Sequence, residues 1–213
     1  MNAFYFYTKL DQTILLGITT STIPGLLEGI QRVPEASIYY HTHRYLQQHH
    51  YLSPEPPNDF AYWVGQMLND AELGEQLSSI DIIRFDSIQS IRLEFVELLR
   101  AYIASSEKLR ESPPGQEFHF MSCQTFAIQT PHTAETIPEF LEQLRHVSVS
   151  SLYYHVFDAK LRLGHGENDF SRWFRDRGKL ELADAVARLD PYTYTLEGLR
   201  TKIITLAEKH GTD

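Results

Sequence analysis

A single cysteine, Cys123, stands in 213 residues. One thiol excludes an intrachain disulfide and a thiolate metal centre, which agrees with a reducing compartment and leaves Cys123 as a small buried side chain. Long apolar runs are missing too: nothing approaches the ~20 residues that span a bilayer. The amino-terminal MNAFYFYTKLDQ lacks a basic region followed by an apolar stretch and a cleavage site, so a cytoplasmic location is expected. Positive charge is scarce, with 19 Lys and Arg against 28 Asp and Glu and a formal charge of −9. Binding to nucleic acid or to an anionic membrane rests on Lys and Arg, so both are disfavoured. Signatures of catalysis are also absent: no G-x-S-x-G elbow, P-loop, G-x-G-x-x-G or HExxH occurs. No cofactor is expected.

What the chain does contain is itself, twice. TIPGLLEGIQRVPEASIYYH (Thr22 to His41) returns without a gap as TIPEFLEQLRHVSVSSLYYH (Thr136 to His155), and ten of the twenty positions are identical. Unrelated segments match at roughly one position in twenty, so the chain reads as an internal duplication. ESPPGQ (Glu111 to Gln116) marks the boundary, because consecutive prolines end a helix and glycine permits a turn. The expected domains are residues 1–112 and 113–213, each long enough to bury a core.

Both halves carry the same signals in the same order. FYFYT (Phe4 to Thr8) and FHFMS (Phe118 to Ser122) read as strands, and further β-type stretches around Ile14 to Ile18 and Phe126 to Thr130 suggest short strands or hairpins. Thr22 and Thr136 sit at helix N-caps, with Pro24 and Pro138 in the first turn and Glu139 at capping-box spacing. A second helix starting near Ser37 or Ser151 carries Tyr-Tyr-His. A third is capped by Asn58 or Asn168, with Asp59 or Asp169 at its positive end. A fourth ends at Asp81 or Asp190, and the last is marked by Ile88, Ile91, Phe95 and Leu99, or Leu196, Leu199 and Ile203, at three- and four-residue spacing. The fold class is therefore mainly α within α+β: a short β element and about four helices per copy, packed as a pseudo-twofold pair.

Histidines are the conspicuous candidates for chemistry. His41, His43, His49 and His50 crowd into YYHTHRYLQQHHY, and His41, His43, His50 and Asp59 would be the ligands of a metal-dependent hydrolase. Against that, residues two apart on a helix point about 200° apart, which separates His41 from His43. The duplication supplies an internal control. His155 matches His41, whereas His43 aligns with Phe157 and the connection to the Asn is four residues shorter in the second half. Tyr-Tyr-His and Asn-Asp-Phe-x-x-Trp recur in both halves, which points to a scaffold histidine bridging the second helix to the capped start of the third. A polar pocket of Tyr40, His41, Asn58, Asp59 and Trp63 is the ligand-binding alternative. The segment with His43, His49, His50 and Glu55 and the prolines of Ser53 to Pro57 occurs in the first half alone, and is the candidate partner-binding surface.

The blocks SIYYHTHRYLQQHHYLSPEPPNDFAYWV (Ser37 to Val64) and SLYYHVFDAKLRLG with NDFSRWF (Ser151 to Phe174) resemble a bacterial and archaeal family catalogued as a domain of unknown function. Similar H…NDFxxW modules occur attached to other proteins, some of them sugar-related enzymes, so the resemblance implies an accessory or interaction role. It supplies no catalytic residues. The resulting expectation is a non-enzymatic protein that binds a protein partner or a small polar ligand, with a sugar-binding accessory module as another reading. Oligomeric state is left open.

Overall fold

Helix ends are decided by side chains that take up the unpaired amides of the first turn. A computed structural model describes residues 2–49, 57–106, 109–163, 167–190 and 193–210. After strand β1 (Phe4–Thr20), helix α1 (Ile23–Arg32) starts where the Thr22 hydroxyl accepts from Gly25 N–H at 3.1 Å. α2 (Glu35–Tyr39) runs through a π-helical turn (Tyr40–Arg44) into α3 (Tyr45–His49). α4 (Asp59–Gln66), α5 (Ala71–Ser78) and α6 (Ile88–Ser105) follow.

Strand β2 (Phe118–Ala134) opens the same order again: α7 (Ile137–His146), α8 (Val149–Tyr153), a second π-helical turn (Tyr154–Asp158), α9 (Ala159–Leu163), α10 (Asp169–Asp176), α11 (Leu180–Ala187) and α12 (Leu196–His210). β1 and β2 pair as a two-stranded antiparallel sheet, so the architecture is α+β and mainly helical.

Several local expectations are refined. The strands are continuous, 17 residues each, in place of short strands or hairpins. α2 and α8 begin two residues before Ser37 and Ser151, at Glu35 and Val149. Thr136 caps α7 as expected, but the Glu139 carboxylate returns to Glu135 N–H at 2.8 Å, one residue ahead of the cap.

The chain forms two compact units, one of them discontinuous in sequence. One comprises Met1–Leu10 with Thr125–Asp213, the other Asp11–Gln124. In the first, Phe4 and Phe6 are buried with Phe140, Phe170 and Trp173. In the second, Phe118 and Phe120 are buried, and Phe118 meets Phe60 and Trp63. The helices of the first unit are thus completed by a strand segment that lies far from them in the chain, and those of the second by the start of the strand that follows them.

A buried arginine closes each unit. Arg92 of α6 donates from one guanidinium nitrogen to Ile30 O at 2.5 Å and Val33 O at 2.8 Å, carbonyls left open where α1 ends. Arg200 of α12 does the same for Leu144 O and Val147 O. These carbonyls sit at the negative ends of α1 and α7, where a fixed cation is favoured. Burial pulls the Arg92 guanidinium below its usual range, partly offset by Glu35.

Replacing Arg92 by Leu removes both donors and strands two buried carbonyls. A loss of about 2–4 kcal/mol is expected, read from urea unfolding at neutral pH; a loss below about 1 kcal/mol would show that water replaces the guanidinium.

Candidate functional site

Asn58 is fully buried, with its carbonyl on Ala61 N–H at 2.9 Å and its amide on Leu77 O at 3.0 Å, so it caps α4 while fastening it to α5. Asn168 repeats this with Ser171 N–H and Val186 O, and the Ser171 hydroxyl answers the Asn168 N–H to complete a capping box. Each cap sets the next residue, Asp59 or Asp169, at the first position of a helix, where its charge is favoured.

Asp59 Oδ2 lies 2.6 Å from Nδ1 of His41, and Nε2 of the same ring accepts from Met121 N–H at 2.9 Å. In the other unit Asp169 Oδ2 is 2.7 Å from Nδ1 of His155, whose Nε2 accepts from Tyr7 N–H at 2.7 Å. A backbone N–H can only donate, so Nε2 must present its lone pair. The ring proton then sits on Nδ1 and is donated to the carboxylate. Both imidazoles are buried, at 1% and 2% exposure, and packed by aromatic rings: His41 by Phe60, Phe118 and Phe120, and His155 by Phe4, Phe6 and Phe170. With both nitrogens engaged, neither ring has a lone pair for a metal ion or a substrate proton.

Beside each relay the surface opens. In the unit of Asp11–Gln124, a cleft of about 460 Å³ is lined by Asp59, Tyr62, Trp63, Met67, Phe118 and the Gly115–Glu117 loop, with His119. In the other, a cleft of about 430 Å³ is lined by Tyr5, Tyr7, Tyr154, Asp169, Arg172, Trp173 and Asp176, with Ala3, Phe4 and His155. Both tryptophans are held by their indole N–H, Trp63 to Gln116 O at 2.7 Å and Trp173 to Asn2 O at 3.3 Å. The aspartates keep part of their surface in water, 27% for Asp59 and 19% for Asp169. Glu117 adds a second carboxylate to the first cleft; its own and the Gly115 backbone N–H groups hold it below the usual carboxylate range.

Around the recurring Asn-Asp-Phe-x-x-Trp the clefts differ in charge. Arg172 and Arg177 of one unit stand where the other has Tyr62 and Met67, and the Arg177 guanidinium lies over the Trp173 ring at 3.5 Å. Among the described residues, no side chain lining either cleft is a Ser, Thr, Cys or Lys, so these residues offer no hydroxyl, thiol or amine nucleophile beyond tyrosine.

Of the residues singled out by sequence, His41, Asn58, Asp59 and Trp63 converge: the first three form the relay and its cap, and Asp59 and Trp63 line the cleft. Tyr40 stands beside His41 and carries the Arg44 guanidinium over its ring at 4.5 Å. His43 turns elsewhere, buried at 1% exposure and stacked on Tyr39 at 5.6 Å, so it offers no surface to a partner. His49 ends α3, while His50, Glu55 and the Ser53–Pro56 stretch lie outside the described residues. Among the described residues, no group of three His, Cys, Asp or Glu side chains has metal-binding geometry. The strand amides of Met121 and Tyr7 left no mark in the sequence, because a backbone N–H is carried by nearly every residue.

An α+β fold with a histidine-locked cleft in each unit is the class these features define. Residues 1–208 match the profile of a family of unknown function, DUF5752, and the chain belongs to that family. It is also similar to the solved structure of OrfY from Thermoproteus tenax, at 29% identity and a TM-score of 0.82, over 98% of this chain and 95% of that one. No curated protein matches.

The relay makes a two-part prediction. At neutral pH, ¹⁵N–¹H correlation spectra of the imidazoles should show His41 and His155 as neutral rings protonated at Nδ1. His41→Ala, which strands Met121 N–H and leaves a void, should cost about 3–5 kcal/mol, whereas Asp59→Asn, which keeps an acceptor for Nδ1–H, should cost about 1 kcal/mol or less. An Nε2–H tautomer, or equal costs, would contradict the assigned roles.

Proposed function

We propose that this is a non-enzymatic binding protein, a duplicated helical module in which each unit offers a small polar ligand one fixed carboxylate in a cleft lined by aromatic side chains. The observation that carries the reading is the relay itself. It holds Asp59 and Asp169 in place at the mouth of a cleft while consuming both nitrogens of the histidine beside them. A general base needs a lone pair facing its substrate, and the imidazoles have none to give. An aspartate held by an imidazole N–H is, by contrast, a pre-oriented acceptor, which lowers the ordering cost of binding.

The lining chemistry suits ligands rich in hydroxyl or ammonium donors. A carboxylate beside an aromatic wall is how proteins grip either group: the carboxylate accepts the hydrogen bonds and the ring covers the apolar face. Recognition of a sugar as part of an accessory module is one form of this reading. A metal-dependent hydrolase built on His41, His43, His50 and Asp59 has less support, because His41 lacks a free lone pair and His43 is stacked on Tyr39.

The test is thermal denaturation of the full chain with neutral mono- and disaccharides and, separately, primary amines at millimolar concentration. A ligand present at 100 times its Kd stabilises by ~2.7 kcal/mol, well within reach of a melting curve. We expect one class to raise the Tm of wild type, a smaller rise in Asp59→Asn, and none in Asp59→Asn combined with Asp169→Asn. Failure of both classes, or a rise indifferent to both substitutions, would overturn the proposal.

A further inference from the structure

The two clefts share an aspartate but not a charge pattern. In the unit of Met1–Leu10 with Thr125–Asp213, Asp169, Arg172 and Asp176 follow one another on α10 at i, i+3 and i+7, and all three line the cleft. That spacing sets them on one helix face, with the Cβ atoms of Asp169 and Arg172 about 5–6 Å apart. In the unit of Asp11–Gln124, Tyr62 and Gln66 stand at the positions of Arg172 and Asp176, and Glu117 stands at that of Ala3.

Arg172 is the unusual member. The other guanidinium groups described in its unit are engaged: Arg145 with Glu208 at 3.1 Å, Arg175 with Glu167 at 2.7 Å, Arg177 with Asn2 O at 2.9 Å, Arg188 with Asp184 O at 3.1 Å and Arg200 with Val147 O at 2.8 Å. Among the described residues, Arg172 forms no ion pair and no side-chain hydrogen bond, and it is exposed. Its donors are therefore open to a ligand in the cleft.

Charge narrows the choice of ligand. A lone anion at Arg172 would face two carboxylates, and a lone cation at Asp169 would face the guanidinium. A zwitterion satisfies both signs. The ammonium and carboxylate of an α-amino acid leave the same carbon, so they can meet two side chains that stand one helical turn apart. Tyr5, Tyr7 and Tyr154 line the same cleft and supply rings for an apolar side chain.

We propose that this cleft binds a free α-amino acid with an apolar side chain, Arg172 taking the carboxylate and Asp169 the ammonium. The inference rests on the binding reading above and adds to it a ligand class and the residue that selects it. A guanidinium grips a carboxylate through two parallel N–H bonds, and Asp169 is already oriented by Nδ1 of His155. The cleft beside Asp59 refuses the same ligand, because it has no guanidinium and its Glu117 opposes the amino acid's carboxylate.

Isothermal titration calorimetry of the full chain with L-phenylalanine, phenethylamine and 3-phenylpropionate tests the assignment, since the last two each lack one of the two charges. L-phenylalanine should bind at one site per chain, at least about tenfold more tightly than 3-phenylpropionate. Arg172→Gln should weaken L-phenylalanine at least about tenfold, leave phenethylamine no weaker, and leave the melting temperature of the free protein unchanged. Asp169→Asn should also weaken L-phenylalanine, whereas Asp59→Asn should not. If phenethylamine or a saccharide binds in an aspartate-dependent way while L-phenylalanine binds no more tightly than phenethylamine, or is indifferent to Arg172→Gln, this inference falls and the broader reading stands. Absence of binding by all of them overturns both. A melting temperature lowered by Arg172→Gln would make Arg172 a structural residue and overturn its assigned role.

Discussion

A neutral imidazole buried among phenylalanines is tolerable only when both of its nitrogens are hydrogen-bonded, since an unmade bond in such a place costs a few kcal/mol. His41 and His155 meet that demand by drawing on three separate segments each: the π-helical turn that carries the ring, the first residue of the following helix, and the backbone of a strand. Much of the architecture follows. The strand must approach edge-on to offer its N–H, which brings Phe118 and Phe120, or Phe4 and Phe6, into the helical core. The helix after the loop must begin where its aspartate reaches Nδ1, and Asn58 or Asn168 sets that position by capping one end and holding the next helix with the other. The wider i→i+5 winding at Tyr40–Arg44 and Tyr154–Asp158 falls on the histidine-bearing turns, where such winding is often retained for a function.

The same bonds that stabilise the relay shape what the surface beside it offers. An imidazole that has surrendered its lone pair to a strand amide can orient a carboxylate but cannot take a proton from a substrate. The aspartate gains a fixed geometry and keeps enough exposure to meet a ligand. The differences between the clefts lie around this constant frame. One contains Arg172 and has its tryptophan under Arg177; the other has Tyr62 and Met67 at those positions and adds Glu117. Shared acceptors with unlike surroundings are what two sites of different preference would require.

The caps were readable because they are local. Thr22, Thr136, Asn58 and Asn168 each accept from the amide three residues on, so these partners travel with them in the sequence. The apolar stripe of α6 was readable for the same reason, through Ile91, Phe95 and Leu99, all buried. Arg92 lies beside Ile91 and resembles any surface arginine of a helix, yet its carbonyl partners are about sixty residues away in sequence. The crowded histidines were separable by the same local reasoning, since residues two apart on a helix face different ways. Winding sends His41 towards Asp59 and His43 onto Tyr39, and the partner of each is what the sequence left open.

Sequence by itself determined the elements and their order, because caps, proline placement and apolar periodicity are properties of neighbouring residues. It also singled out the two blocks that carry the relay, Tyr-Tyr-His and Asn-Asp-Phe-x-x-Trp, because they recur together in both halves. Only the tertiary structure decided which strand serves which helices. β1 and β2 each run through both compact units, so the start of β1 completes helices in a distant part of the chain, while the start of β2 serves the helices before it. No local rule encodes that choice. It is made by burial of four phenylalanines and by two backbone amides, whose donors are chemically the same at every residue but proline and acquire meaning only from what faces them.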